Sequence, residues 1–448
     1  MSDKLSRRSF LKNAAYSSAG IIILPGLYRC SPSNKINLAV IGVGGRGQKN
    51  WEVCTNENIV ALCDVDDNMA AAGFETFPKA KRFRDFRIMF DKLAGEIDAV
   101  IISTPNHTHY APAMAAIQLG KHVYVEKPLA HDIWQVRNLK KAASYYNVIT
   151  QMGNQGHATD GIRRVREWYE AGILGEVDEV HAWFGGPNFK PGRYFKKPDI
   201  YPPVTENIPE SFDWDLWLGP AKERPFSTCY HPRLWRGWYD FGNGLIGDWA
   251  CHTLDAPFWA LNPGMPVIAE AEIRTPSPDG FIPDRSVVRM EFTRGGNSSP
   301  LLLKWYEGGL KPGILPEWYI NELPDTGMIM AGKKRSLITG GRPDNVNLLI
   351  PDREKEDLRS VLPEKTIPRV EGGPQQEWLR AVKGKGPLPG SNFDYSADLT
   401  EMVLLGQMAQ RFNASLEYDP GNMKIINKPE IDRYLREPAR KGWDKEVN

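Results

Sequence analysis

Residues 36–47 read Ile-Asn-Leu-Ala-Val-Ile-Gly-Val-Gly-Gly-Arg-Gly, and this stretch decides the fold. Apolar residues at Ile36, Leu38, Val40 and Ile41 predict a strand that runs straight into Gly42, Gly44 and Gly47. A G-x-G-x-x-G spacing alone is weak, because glycine-rich turns are common, so the context carries the reading. A helix-compatible segment follows over 48–55, and a second strand over 59–63 ends at Asp64. That places an acid ~20 residues on, where a dinucleotide fingerprint needs one for the ribose hydroxyls. Gly42 permits the tight turn, Gly44 lets the backbone approach a pyrophosphate, and Gly47 lets the helix pack closely on the strand. The helix N-terminus adds N–H groups and positive potential for the phosphates. Asp64 predicts NAD over NADP, since its carboxylate accepts from a 2′-hydroxyl and repels a 2′-phosphate. The loop also holds Gly45 and Arg46, with Arg46 either covering the adenine ribose side or solvated.

Working outward, strand and helix alternate. Helices are expected over 66–76, 85–94 (capped by Asp85) and 132–145, with another ending at 119. Strands are expected over 81–83, 98–103, 122–125 and 148–152. The apolar run 98–103 has the texture of a strand buried on both faces. Alternation of this kind predicts a doubly wound parallel sheet, with ligands beyond the carboxyl ends of its strands. Gly42, Asp64, Thr104, Lys127 and Asn154 all fall just past such ends, so one crevice collects them. From about residue 160 the texture changes. Strands at 179–184, 267–273, 287–292, 301–306 and 337–339 have few helices between them, which predicts a large, mostly antiparallel sheet. The expected fold class is α/β, a doubly wound Rossmann sheet followed by an α+β domain with a large, mostly antiparallel open sheet. A Rossmann NAD(P)-binding domain spans 34–155, and an α+β substrate and oligomerisation domain spans 156–448. Helices over 375–382 and 397–412 are expected to pack back on the first domain.

The glycine fingerprint, Ser103-Thr104-Pro105-Asn106, and Glu126-Lys127-Pro128 together resemble the Gfo/Idh/MocA oxidoreductases. The resemblance continues through Gly242-Asn243-Gly244-Leu245-Ile246-Gly247-Asp248 to His252. It implies a nicotinamide-dependent enzyme acting on a sugar, glycoside or polyol. Lys127 would lie beside the nicotinamide, with Asp248 and His252 completing the sugar side as the catalytic set. Thr104, Asn106, Glu126 and Asn154 would join the glycine loop around the cofactor, and Trp235-Arg236 would face the substrate. The same resemblance leaves open an NAD-dependent glycosidase or lyase that oxidises its sugar only transiently.

The chemistry fits those residue types. Oxidising an alcohol needs a base for the hydroxyl proton as hydride leaves, and a partly desolvated lysine near a cationic ring can serve. Asp248 and His252, four residues apart, project from one face of a helix, so the carboxylate can orient the imidazole. Glu126 is expected to act structurally or near the nicotinamide ribose. His107 and His109 form an H-x-H pair without further ligands, so no zinc site is expected. Six of the fourteen tryptophans lie between Trp214 and Trp259. They suit either a sugar-stacking pocket or ordinary core and interface packing.

With 448 residues, a formal net charge of +1 and 25% charged residues, the chain suits a two-domain protein with no bulk attraction to nucleic acid or membrane surface. The five cysteines show no C-x-x-C spacing, so neither a metal site nor a disulfide framework is expected. Residues 1–33 read as a signal and linker: Ser6-Arg7-Arg8-Ser9-Phe10-Leu11-Lys12 matches the twin-arginine export pattern. The apolar stretch 14–27 behind it is too short to span a bilayer, which needs ~20 residues. A periplasmic homo-oligomer, exported folded, is the expectation. Cys30 is a weak candidate for a lipid anchor, because Arg29 precedes it.

Overall fold

Strand β1 (Asn37–Ile41) runs into the glycine turn, helix α1 (Arg46–Glu52) leaves it, and β2 (Asn58–Cys63) returns parallel to β1. The computed structural model describes residues 35–186, 195–278, 280–293, 300–354, 357 and 362–443. The twin-arginine stretch, its apolar run and Cys30 lie outside the described residues. The first sheet continues as α2 (Asp67–Thr76), β3 (Lys81–Phe83), α3 (Phe86–Leu93) and β4 (Ala99–Ile102). It ends with α4 (Tyr110–Gln118), β5 (His122–Glu126), α5 (Ile133–Tyr145) and β6 (Thr150–Gly153). Asp66, Asp85 and Asp132 cap α2, α3 and α5, each carboxylate accepting from first-turn amides. The six strands lie in the order β3-β2-β1-β4-β5-β6, all parallel. All four residues of β4 are fully buried, as a strand covered by helices on both faces requires. The strand order reverses between β1 and β4, and a crevice opens at that switch point.

The chain then builds α6 (Asp160–Glu170), β7 (Val177–Phe184), α7 (Trp214–Leu218) and α8 (Asp255–Leu261). Next come β8 (Ile268–Thr275), β9 (Arg285–Phe292), β10 (Leu301–Glu307), β11 (Thr326–Gly332), β12 (Ser336–Gly340) and β13 (Val346–Leu349). Helices α9 (Gly373–Val382) and α10 (Phe393–Phe412) precede β14 (Ser415–Asp419) and β15 (Lys424–Ile425). The nine strands run β13-β12-β11-β7-β10-β9-β8-β14-β15, antiparallel except for β7 beside β10. The expected fold class, a parallel Rossmann sheet with a larger, mostly antiparallel one, is what the chain forms.

Two differences from the expected elements have physical causes. Strand β11 shows no apolar–polar alternation because both its faces are covered: Met328 and Met330 enter the main core, while Ile329 packs with Trp183 and Trp318. The Asp248–His252 stretch is not a regular α-helix. Ile246–Ala250 forms a π turn, followed by one α turn, Cys251–Thr253. Its wider i→i+5 pitch still leaves residues four apart near one face. Helix α10 is buried around most of its circumference, as a helix packed on several sides must be. It lies against α5 of the first sheet's layer and against β8 and β9.

Candidate active site

A cavity of about 620 Å³ follows the carboxyl ends of β1, β2, β4 and β5 and extends to the π turn. At its dinucleotide end Gly42 has φ 78°, and a Cβ there would meet the Ser103 main chain at 2.8 Å. A Cβ on Gly47 would lie 1.8 Å from the Gly42 carbonyl, so α1 packs on the turn only with glycine there. Asp64 fastens this loop: Oδ2 accepts from Val43 N (2.7 Å) and Gly44 N (3.1 Å), and Oδ1 from Asp66 N (3.1 Å). Burial raises its pKa above the usual carboxylate value, against the pull of those amides. A carboxylate has about four lone-pair positions, so one remains for a ribose hydroxyl. Thr104 Oγ1 lines the cavity, is buried and has no hydrogen-bond partner among the described residues. A tight glycine cradle and an orphaned hydroxyl fit a bound dinucleotide.

Segments from beyond β7 pack against the loop that follows β2. Asp67 N donates to Ser211 O (3.0 Å), Asp213 N donates to Val65 O (2.8 Å), and Phe212 bridges Asp66. His231 pairs with Asp66 at 2.8 Å and stacks on Phe212 with centroids 4.1 Å apart. His231, Pro232 and Arg233 line the cavity.

Arg46 lines the cavity, partly exposed, and is tied to the protein on one side. Its Nε donates to Glu126 Oε1 at 2.9 Å, pinning the glycine loop to the end of β5. The same oxygen accepts from Asn50 Nδ2 (2.9 Å), and Asn50 Oδ1 accepts from Gln375 Nε2 of α9 (2.8 Å). Glu126 therefore ties the glycine loop and α1 together at the floor of the cleft.

At the far end, Lys127 Nζ donates to both the Asp248 carbonyl (2.5 Å) and Asp248 Oδ1 (2.6 Å). Arg236 Nε lies 3.4 Å from the same oxygen. Burial alone would raise the Asp248 pKa, but Lys127 and Arg236 override it and hold the carboxylate at about 2. His252 is 2% exposed and lines the cavity, and its Nδ1 has no hydrogen-bond partner among the described residues. Burial, with Lys127 and Arg342 adding to it, keeps its pKa well below the ordinary histidine value, so the ring is neutral. Lys127, Asp248 and His252 thus converge across 121 residues of chain.

The other expected site residues divide. Gly44, Gly45, Trp235 and Arg236 face the cavity, as does Asn106, whose Nδ2 donates to Asn243 Oδ1 (3.0 Å). Asn154 does not face it, which corrects its placement at the cofactor. It is fully buried, with Nδ2 donating to Asp255 Oδ2 (2.8 Å) and Oδ1 accepting from Ser391 Oγ (2.5 Å). The neighbouring Gln155 faces the cavity instead. Asp255 also accepts from Tyr395 OH (2.6 Å) and contacts His157 Nδ1 (2.9 Å), so it anchors the segment that carries His252. His107 and His109 sit with their ring nitrogens against main-chain carbonyls. Of the six clustered tryptophans, Trp214, Trp238 and Trp259 pack outside the cavity, while Trp217, Trp235 and Trp249 line it.

Sequence reasoning missed Gln155, His231, Asp255 and Arg342, and did not single out Trp249. Arg342 sits in Gly341-Arg342-Pro343-Asp344, recognisable as a turn but with nothing local to place it at the site.

Residues 36–154 match the NAD-binding Rossmann fold of the Gfo/Idh/MocA oxidoreductases, and residues 184–293 match that family's C-terminal alpha/beta domain. A glycosyl hydrolase family 109 protein of Solibacter usitatus is 32% identical over 203 residues, 39% of this chain and 44% of that protein. Inositol 2-dehydrogenase 3 of Saccharopolyspora erythraea is 29% identical over 162 residues, 34% of this chain and 46% of its own. The chain spans less than half the length of these curated relatives. Among solved structures, the WlbA dehydrogenase from Chromobacterium violaceum in complex with NADH and UDP-GlcNAcA superposes with a TM-score of 0.61 at 16% identity. That match covers 89% of this chain and 99% of the other. An inositol dehydrogenase homolog from Azotobacter vinelandii, complexed with NADH and myo-inositol, gives 0.58 at 17% identity over 86% and 98%. These two likenesses concern the fold. With a dinucleotide cleft at the switch point, a Lys-Asp-His cluster at its end and both family domains matched in order, the chain belongs to the Gfo/Idh/MocA family of NAD-binding oxidoreductases.

Proposed function

We propose that the protein oxidises a hydroxyl of a sugar, glycoside or polyol, using NAD rather than NADP. The observation that carries this is the Lys127–Asp248 ion pair beside a neutral, cavity-facing His252, at the point where the dinucleotide cleft meets the tryptophan-lined end. When bound, NAD supplies the hydride acceptor. Lys127 has two donor contacts to Asp248 and a third N–H to give a substrate hydroxyl. His252, uncharged, takes the hydroxyl proton, a role the sequence reading gave to Lys127. Asp248 steadies the ammonium and Asp255 anchors the segment next to His252. Discrimination against NADP rests on Asp64.

The twin-arginine pattern supports a periplasmic enzyme exported in its folded state, with the dinucleotide loaded beforehand. Such an enzyme has little free NAD to exchange with, so the cofactor stays bound and is recycled in place. The segment clasping Asp66 through Phe212 and His231 supports that retention. A second reading, net hydrolysis of a glycoside through transient oxidation, draws on the glycosyl hydrolase family 109 relatives. Incubating purified protein with free sugars and p-nitrophenyl glycosides separates the two. Dehydrogenation changes the nicotinamide absorbance band with free sugars, whereas the second reading releases nitrophenol with no net change in that band. Silence in both channels overturns the proposal.

A further inference from the structure

The substrate end of the cavity carries one cation more than its own structure uses. Four cationic side chains, Arg46, Lys127, Arg236 and Arg342, surround the Glu126–His252 region, and each adds to the electrostatics there. Glu126 is matched by Arg46, and Asp248 by Lys127 and Arg236. Arg342 has no carboxylate within ion-pair distance among the described residues. Its guanidinium instead lies over the Trp249 ring, 5.4 Å from the centroid. Nor is its position accidental to a loose loop. Thr253 Oγ1 donates to Gly341 O (2.9 Å) and Thr159 Oγ1 to Pro343 O (3.0 Å), so the main chain is held on both sides of Arg342. A Cβ on Gly341 would lie 2.2 Å from Thr326 Cγ2, and Pro343 packs where Gly156 and Gly161 leave room. Trp249 is itself fixed, stacked on Phe184 at 4.3 Å and edge-on to His252 at 5.7 Å.

We propose that this wall recognises a sugar bearing a carboxylate, a hexuronic acid or its glycoside. The acid pairs with Arg342 while the ring lies against Trp249, presenting a hydroxyl to Lys127 and His252. The inference rests on the sugar-oxidation reading above and adds the class of sugar. A planar guanidinium fits a carboxylate in bidentate fashion, and its placement on an aromatic face limits the entropy lost on binding. With Arg342 unsatisfied, a neutral sugar leaves the positive excess uncompensated, and the oxidised nicotinamide adds to it.

The test is binding, read by tryptophan fluorescence and calorimetry on the protein as purified. D-glucuronate and D-galacturonate are compared with D-glucose and D-galactose. The expected result is at least a tenfold tighter Kd for the acid of each pair, the scale of one charge-assisted hydrogen bond. Arg342→Ala should remove that preference, and Arg342→Lys should restore part of it. Equal binding of acid and neutral sugars, binding of neither, or a preference that survives Arg342→Ala overturns the proposal. The nicotinamide absorbance, recorded in the same samples, keeps the two readings apart. Oxidation of neutral sugars alone sinks the acid-sugar inference and spares the oxidoreductase reading, whereas acid-selective binding without any redox change does the reverse.

Discussion

At the dinucleotide end of the cavity, Gly42, Asp64 and Thr104 come from consecutive strand ends of one parallel sheet, and the polar groups they organise are mostly backbone amides. At the substrate end, Lys127 comes from that sheet, Asp248 from a π turn over 100 residues later, His252 from the α turn that follows it, and Arg342 from the loop after β12. The first end is a property of local chain geometry, which tolerates change around its glycines poorly but rests on few side-chain charges. The second is a balance of side-chain charges held by the packing of two sheets. Mutation of side chains should therefore damage the second end in rate and the first in cofactor preference.

The largest effect is expected for Lys127→Ala. It should lower kcat on the order of 10²-fold or more and leave the fold and bound cofactor intact, measured by single-turnover absorbance and cofactor content. His252→Gln should match it in rate, and near-normal kcat in either variant removes that residue from proton handling. Asp248→Asn comes next, because it strands Lys127 and Arg236 in a nearly buried site. A loss of about 3 kcal/mol of stability at pH 7 is expected by denaturant titration. The folded pKa of Asp248, about 2, lies below its unfolded value. Its stabilisation is therefore present above pH ~4 and lost as pH falls towards ~2, a slope that Asp248→Asn should lack.

These contrasts follow what the sequence made legible. The Rossmann half could be read from the chain because each signal sits next to the element it specifies: glycines beside their strand, aspartates beside the helices they cap. Lys127, Asp248 and His252 could be named only through resemblance, and their convergence is a tertiary fact. The pairing of Arg46 with Glu126 could not be read from the chain, because the two lie 80 residues apart. Asn154 falls past a strand end as expected, yet Asp255 and Ser391 draw its amide inward. Arg342 carries no local signal, since a turn sequence reveals its shape and not its neighbours.

Two milder tests sharpen the comparison. Asp64→Ala should narrow the preference for NAD over NADP and loosen the glycine loop. Unchanged discrimination, measured from the two kcat/KM values, would mean that another residue reads the ribose. Glu307, buried in β10 and bonded to Trp305, Ser286 and Gln410 with no cation paired to it among the described residues, is the counter-example to Asp248: burial raises its pKa to about 7. Its folded value lies above the unfolded one, so its contribution is favourable below pH ~4.5 and lost as pH rises through ~7. Glu307→Gln should change Tm little at pH 5 and raise it by a few degrees at pH 9. An equal change at both pH values contradicts the burial argument.

The central claim, that both ends serve one cofactor that is retained and recycled, is tested most directly by dinucleotide content. Protein purified without added cofactor should yield close to one equivalent of NAD(H), released only on denaturation. An empty protein that binds NAD with a millimolar Kd would contradict the account and point to an ordinary dehydrogenase with an exchanging cofactor.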